Sequence, residues 1–249
     1  MPEQRPRPTT RLPPRTLSPS TAGPATRSPV RDGLRAMDYG TGARTVAPTA
    51  TTGDDVTGPN ALLFQHATTG ASRSTAKGNG VAGSGVTASE TMADQDRERL
   101  LAMQETFVKV AAAHNLPPAL LAAIASRETR GGNQLDRNGY SIWDGNGFGV
   151  MQVDKNSHTP VGGARSFDHI NHAASILAGY RDQIAKKFPT WKPDQVLQAA
   201  VYAYNAGPSR VKSLETLDQL STGKDYSSDV WARARHLSGD IGGAPRQGT

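Results

Sequence analysis

Glu128 is the residue whose position in the chain most clearly favours chemistry. It follows a nearly continuous apolar run, 119–126, which predicts a helix buried on all sides. The negative end of the helix dipole and the loss of water both disfavour a charged carboxyl at such a helix end. A carboxyl that keeps its proton at neutral pH can act as a general acid. The alternative is a surface Glu paired with Arg127 or Arg130.

A glycine-rich segment, 145–149, lies between Asp144 and Asp154. Three Gly in these five positions allow the backbone to approach a ligand closely. Gln152 can both donate and accept a hydrogen bond with a sugar or an amide. The alternative is a hairpin whose Asp residues form turns. The spacing lacks the oxygen ligands of an EF-hand, so neither a metal nor another cofactor is predicted.

Tyr204 and Asn205 end a predicted helix just before Gly207. Asn followed by Gly can be a simple helix end. The functional interpretation places both side chains at the edge of a substrate cleft.

The elements that must position these residues are mostly helical. Apolar periodicity and capping signals such as Ser166 and Pro193 predict five helices, over about 94–114, 119–126, 166–187, 194–206 and 228–237. The short β-like stretch 149–153 predicts a small hairpin. We therefore expect an α+β, mostly helical domain with one hairpin lobe. Trp191 and Trp231 are expected in its core, and His169 and His172 on the surface of the third helix.

Residues 1–90 differ in composition from the rest of the chain. They contain 10 of the 17 Pro and 11 of the 26 Gly, and neither Trp nor Ile. Such a segment has too few large apolar side chains to offset the chain entropy lost on folding. We therefore predict a disordered N-terminal segment and linker over 1–90 and a folded domain over 91–249.

Charge and composition exclude several classes of function. The net charge of +6 suits anionic partners. Nucleic acid is not predicted, because the basic residues of 1–90 are spread thinly and lack interleaved aromatic residues. The absence of Cys excludes thiol catalysis and disulfides. No apolar run approaches the roughly 20 residues of a membrane helix. No apolar run after the basic N-terminal residues is long enough for a Sec signal peptide, so we expect export by another route or release by lysis.

Five short blocks follow one another in a fixed order along residues 95–240. They are Ser126-Arg127-Glu128, Gly145 to Lys155, Ser157-His158, Lys187-Phe188-Pro189 and Ala203 to Gly207. This set resembles goose-type lysozymes, within the wider group that includes lytic transglycosylases. The animal enzymes often carry Cys, so the chain is more similar to a bacterial or phage-type member.

The resemblance implies a lysozyme-like fold and cleavage of the β-1,4 bond between N-acetylmuramic acid and N-acetylglucosamine in peptidoglycan. Glu128 matches the catalytic acid, and Asp154 matches an Asp that positions the attacking water. Asp144 matches the second Asp, although it is adjacent to Gly145, where animal enzymes usually have one residue in between; Asp136 is a weaker substitute. The expected substrate contacts are Gln152, Met151, Tyr204, Asn205, His158, Tyr226 and Phe148. Trp143 suits either sugar stacking or burial.

Two other functions remain open at this point. A lytic transglycosylase would cut the same bond with a single Glu and leave a 1,6-anhydro product, but would lack the water-holding Asp residues. A peptidoglycan-binding module would keep the fold without activity. For an enzyme that acts at the cell wall, outside the cytoplasm, residues 1–90 suggest a segment for loading into an injection or secretion apparatus. Release as a phage endolysin is the other route considered.

Overall fold

The computed structural model describes residues 58–143 and 145–242, which form a mostly helical fold. The helices of this part of the chain are α1 (Arg73–Gly78), α2 (Val86–Leu101), α3 (Gln104–His114), α4 (Pro118–Thr129), α5 (Phe167–Lys187), α6 (Pro193–Ala206) and α7 (Tyr226–Leu237). Short 3-10 helices cover Ala61–Phe64, Pro208–Arg210 and Thr222–Lys224. Strands β1 (Gly147–Phe148) and β2 (Val153–Asp154) pair antiparallel. The predicted α+β class with a small hairpin is therefore confirmed.

Helix α4 lies at the centre of the fold. Residues 119–125 are completely buried, and the helix packs against α7, α3 and α2. Pro118 lies in its first turn, where the missing N–H costs nothing. Within the described residues, no single helix is long and apolar enough to cross a membrane. Helices α3 and α4, with a bend of 119° between them, reach the required length and apolar composition only when they are taken together. Burial on all sides explains the apolar character of α4.

The predicted helix over 94–114 is wrong in its extent. Two helices occupy this stretch, because α2 starts at Val86 and ends at Leu101, and α3 starts at Gln104. Met103 breaks the helical conformation, with φ of −111° and ψ of 9°. The break lies at neither Gly nor Pro, so the sequence carries no ordinary signal for it. The Ser166 cap of α5 is confirmed, since its Oγ accepts the His169 N–H at 3.3 Å.

The structure also corrects the boundary at residue 90. Residues 58–90 contain the first 3-10 helix, α1 and the start of α2, and they pack on the domain. Leu63 is completely buried, and its carbonyl accepts the Trp231 Nε1–H at 2.9 Å. Composition was misleading because small side chains and polar contacts hold this segment: Thr68 Oγ1, for example, donates to the Ser228 carbonyl at 2.7 Å. The prediction for residues 1–57 lies outside the described residues.

Asn60 joins the beginning and the end of the described fold. Its Nδ2 donates to the carbonyls of Ser238 at 3.2 Å and Ile241 at 2.7 Å. Its Oδ1 accepts the Ala119 N–H at 3.2 Å, at the start of α4. One buried amide therefore ties both ends of the domain to the central helix.

A buried network of charges connects α2, α4 and α7. Arg127 donates to Asp229 at 2.5 Å and to Asp225 at 2.9 Å. Arg233 donates to Asp229 at 2.9 Å and lies 3.7 Å from a carboxylate oxygen of Asp96. These charges replace water as partners for one another, which is the condition for keeping charge in a protein interior.

The network holds Arg127 and Asp229 in their charged forms. Burial alone would lower the pKa of Arg127, but Asp229 and Asp225 outweigh it and the pKa is raised. Burial would raise the pKa of Asp229, but Arg233 and Arg127 outweigh it and lower that pKa. We refer to Asp96, Arg127, Asp225, Asp229 and Arg233 as the charge network.

Replacing Asp229 by Asn should destabilise the fold by about 3 kcal/mol or more, because two buried Arg side chains lose a charged partner. Urea unfolding monitored by circular dichroism measures this change. Asp94→Asn is the matched control, since the Asp94 side chain is 53% exposed and pairs with Arg97 and His236 at the surface. It should change the free energy of unfolding by less than about 1 kcal/mol. Equal effects of the two variants would contradict the role given to the network.

Candidate active site

The end of α4 places Glu128 at the junction between the helical core and the hairpin. Glu128 is half-buried, two residues before Arg130 leaves the helical conformation with φ of 55°. The adjacent Thr129 is buried, and its hydroxyl donates to the Val150 carbonyl at 2.9 Å. This hydrogen bond connects the helix end to the turn that follows β1. The position of Glu128 is thus fixed relative to the hairpin.

Two tyrosine hydroxyls, from the buried Tyr226 and the half-buried Tyr204, lie near the Glu128 carboxyl. Tyr226, the first residue of α7, donates a short hydrogen bond to Glu128 Oε1. Tyr204, near the end of α6, donates to the Met151 carbonyl at 2.8 Å. Burial first, and the nearby Glu128 charge second, raise the pKa of both phenols well above the ordinary value. Both tyrosines therefore keep their protons and serve as hydrogen-bond donors.

The charge network reaches this site through Arg127. Its guanidinium lies 5.5 Å from the centre of the Tyr226 ring, and it also donates to the Thr222 carbonyl at 2.9 Å. Asn205 holds the same loop, because its Oδ1 accepts the Thr222 N–H at 2.9 Å. Sequence reasoning treated Arg127 only as a possible partner of Glu128. The structure shows instead that Arg127 supports the tyrosine that contacts Glu128.

Gln152 fills the inside of the hairpin turn. It adopts φ of 53°, and its Nε2 donates to the Gly149 carbonyl at 2.9 Å and the Gly147 carbonyl at 3.3 Å. A Cβ on Gly147 would overlap the Gln152 amide, which explains the Gly at this position. The amide NH₂ is therefore used within the turn that links β1 to β2.

Asp154 is exposed at the end of β2, opposite Gly147 in the ladder. Its Oδ1 accepts from the Asn156 N–H and from Asn156 Nδ2, both at 2.9 Å, and its Oδ2 accepts from Ser157 Oγ at 3.3 Å. These donors orient the carboxylate. An oriented, solvent-accessible carboxylate is suited to hold a water molecule.

The other predicted site residues divide into exposed and buried groups. His158 is half-buried, with its ring centre 5.8 Å from that of His172. Tyr204 and Asn205 are also half-buried. Asp136 is exposed, and its Oδ1 accepts two backbone N–H groups in a turn. Asp144 lies outside the described residues.

Three of the predicted substrate contacts, Met151, Tyr226 and Phe148, are buried in this structure. Met151 is 0% exposed and Tyr226 is 1% exposed, so in this structure their side chains present no surface to a substrate. Phe148 packs its ring between Tyr140 and His169, at 5.1 and 5.4 Å between ring centres. For Met151 and Phe148 the physical reason is that the hairpin is too small to have a core of its own, so its apolar side chains point into the domain. Tyr226 lies instead at the start of α7, which packs against α4 and α6.

His169 supports the hairpin from the first turn of α5. It is 0% exposed rather than on the surface, and its Nε2 accepts the Met151 N–H at 3.2 Å. Gly149 lies against the ring, where a Cβ would overlap it. Burial first, and His172 second, lower the pKa of His169 to about 4. The signal in the sequence was its spacing of four from Ala173, which places both on the buried face of α5.

Among the described residues, no group of three or more His, Asp and Glu side chains is arranged to hold a metal ion. The arrangement that is present consists of a half-buried Glu at the end of an apolar helix and an oriented, exposed Asp on the neighbouring hairpin. A pair of carboxyl groups in two such environments is the arrangement used for glycoside cleavage.

Comparison with known proteins assigns the chain to a family. The family model for lysozyme g matches residues 63–240, which is more than half of the chain. The chain therefore belongs to the lysozyme g family and is a glycoside hydrolase, a peptidoglycan hydrolase by its family. The match begins at residue 63 and so includes the segment that composition had placed in the linker.

Several animal lysozymes of this family are similar to the chain over most of their length. Lysozyme g of Cyprinus carpio is 46% identical over 170 residues, which cover 68% of this chain and 90% of that protein. Lysozyme G of Dromaius novaehollandiae is 40% identical over 185 residues, which cover 74% of this chain and 90% of that protein. Lysozyme g of Gallus gallus is 41% identical over 170 residues, which cover 68% of this chain and 80% of that protein.

Lowering the pH from about 6.5 to about 4 should destabilise the fold through His169. The unfolded chain binds this proton near the ordinary pKa of 6.5, whereas the folded chain binds it only near 4. As the pH falls, the unfolded state therefore takes up this proton before the folded state does. The free energy of unfolding should fall by about 3 kcal/mol between pH 6.5 and pH 4. Urea unfolding of the wild type and of His169→Gln at pH 4, 5, 6 and 7 measures this contribution.

The neutral Gln side chain should make the unfolding free energy less dependent on pH than in the wild type. Burial first, and His158 second, also lower the pKa of His172, but that residue is present in both proteins. The difference between the two curves therefore reports His169 alone. Parallel curves over the window would contradict the assignment.

Proposed function

We propose that the chain cleaves the β-1,4 bond between N-acetylmuramic acid and N-acetylglucosamine, with Glu128 as the general acid. The hydrogen bond from the buried Tyr226 hydroxyl to Glu128 carries this proposal. It fixes one carboxyl oxygen at the end of the apolar helix α4, where the carboxyl can be presented to the glycosidic oxygen. A positioned, protonated carboxyl is what the leaving oxygen requires.

In this mechanism Glu128 donates its proton to the glycosidic oxygen as the bond from that oxygen to the anomeric carbon breaks. Asp154, helped by Asp144, accepts a proton from a water molecule on the opposite face of the sugar. The water oxygen bonds to the anomeric carbon, and the configuration inverts. Inverting enzymes separate the two carboxyl groups by roughly 6.5–9.5 Å to leave room for this water. The exposure and side-chain hydrogen bonds of Asp154 support this role.

Glu128→Gln should lower the rate of peptidoglycan digestion by about 10²–10⁴, because an amide cannot donate the proton. The experiment digests purified peptidoglycan with the full chain and identifies the fragments by mass spectrometry. The matched control is Glu105→Gln, since the Glu105 side chain is 91% exposed on α3 and pairs only with Lys109. Circular dichroism checks that both variants are folded. An active Glu128→Gln protein would overturn the assignment of the acid.

The same digestion separates hydrolysis from the transglycosylase reaction. Hydrolysis gives reducing ends, whereas internal attack by the sugar gives 1,6-anhydro ends. We expect reducing ends, and a strong loss of them in Asp154→Asn, because the attacking water loses its base. Anhydro products from the wild type would remove the role proposed for Asp154.

We also propose that residues 1–57 serve as the loading segment for an injection or secretion apparatus, so that the enzyme reaches the cell wall as an antibacterial or wall-penetrating protein. The support is their Pro- and Arg-rich composition and their position ahead of the folded domain. Deleting 1–57 should preserve digestion and abolish delivery into a target cell. Deleting 1–90 is not an equivalent test, because it also removes the buried Leu63. Unchanged delivery without 1–57 would reject this role.

A further inference from the structure

Two large apolar side chains next to the hairpin are exposed to solvent. Trp143 is 76% exposed and Ile142 is 53% exposed, while Trp231 is completely buried. Trp191, the remaining Trp, packs its ring on Phe188 with 4.0 Å between ring centres. Of the two possibilities left open by the sequence, burial is therefore excluded for Trp143. An indole left in water loses the stabilisation that burial would give, and such side chains beside a site commonly mark a binding surface.

The backbone under these two side chains, which we call the 142–143 tip, is held by hydrogen bonds. The Ile142 N–H donates to the Gln134 carbonyl at 3.2 Å, and the Trp143 N–H donates to Ser141 Oγ at 3.2 Å. Ser141 itself donates its N–H to the Gly147 carbonyl at 2.9 Å, on β1. A ligand that contacts this tip does not have to order a free loop, which lowers the entropic cost of binding.

The 142–143 tip is also continuous with the strand that carries Asp154. The carbonyl of Gly145 accepts from Lys155 Nζ at 2.9 Å, and the carbonyl of Asn146 accepts the Lys155 N–H at 3.1 Å. Gly147 then pairs with Asp154 across the ladder. The exposed indole therefore belongs to the same small unit as the proposed water-positioning carboxylate.

We infer that Trp143 is a substrate-binding residue that stacks on a pyranose ring of the glycan strand, next to the pair of sugars that is cleaved. This inference rests on the proposed function. A pyranose ring has an apolar face of C–H groups, and the indole offers a large flat partner together with an N–H donor. Peptidoglycan strands extend beyond the cleaved bond, so a contact there can contribute binding energy without touching the reacting atoms.

The test compares kinetics on glycan strands, prepared from peptidoglycan by removing the stem peptides, for the full-length wild type, Trp143→Ala and Trp143→Phe. Trp143→Ala should raise KM about tenfold, equivalent to about 1.4 kcal/mol, with kcat nearly unchanged. Trp143→Phe should recover most of the loss, because a flat ring remains. Leu220→Ala is the matched control, since Leu220 is 62% exposed outside the tip and should keep the wild-type KM.

A binding measurement gives a readout that does not depend on activity. In Glu128→Gln, adding the same strands should shift the tryptophan emission to the blue as the indole of Trp143 leaves water. The double variant Glu128→Gln/Trp143→Phe should lack this shift, because Trp191 and Trp231 are already packed. Dissociation constants from this titration should follow the KM values.

The outcomes separate this inference from the function on which it rests. An unchanged KM and an unchanged emission shift without Trp143 would overturn the inference while leaving Glu128 as the acid. A lower kcat at constant KM would overturn it too, because that pattern indicates a disturbed hairpin. If Trp143→Ala lost binding to phosphatidylglycerol vesicles that the wild type binds, while its binding to glycan stayed normal, the result would overturn the inference and assign the tip to a membrane surface. Full activity of Glu128→Gln would overturn the proposed function itself.

Discussion

The attraction between Arg127 and the buried carboxylates of α7 fixes how the central helix lies against the last helix. Arg127 precedes Glu128 directly, and α7 supplies both Asp229 and, at its first position, Tyr226. A shift of α4 relative to α7 would therefore separate the Tyr226 hydroxyl from the Glu128 carboxyl that it contacts. Geometry at the site depends in this way on charges that never meet the substrate. A buried charge that loses its partner is strongly destabilising, so arrangements that separate Arg127 from these carboxylates are disfavoured.

The hairpin side of the site is built by a different principle. With two residues in each strand, it has no core of its own, and its shape comes from side chains that fill its inside and its back. Gln152 satisfies backbone carbonyls within the turn, and His169 accepts the Met151 N–H from behind. Glycines at 147 and 149 provide the room for these two side chains. Ion pairs thus hold the surroundings of Glu128, while hydrogen bonds of neutral side chains hold the hairpin that carries the exposed Asp154.

Sequence patterns predicted those parts of the molecule that local periodicity determines. The apolar run of α4, the Ser166 cap and the position of the hairpin were all visible in this way. The inward orientation of Met151 and the burial of His169 were not, because both depend on contacts between distant segments. Residues 58–90 were misjudged for a related reason. Small side chains and backbone hydrogen bonds can hold a segment on a core without the large apolar residues that composition measures.

The contacts of Asn60 bring the two ends of the described domain to one place. A single side chain joins residues 60, 238 and 241, so the first and last parts of the described domain lie next to each other. Such a domain suits circular permutation, because a short linker can join the old ends while new ends open in a surface loop elsewhere. It also suits insertion into a host protein, where both connections must be made at one spot. Its enzymatic surface could then be carried as a compact module on another scaffold without stretching either connection.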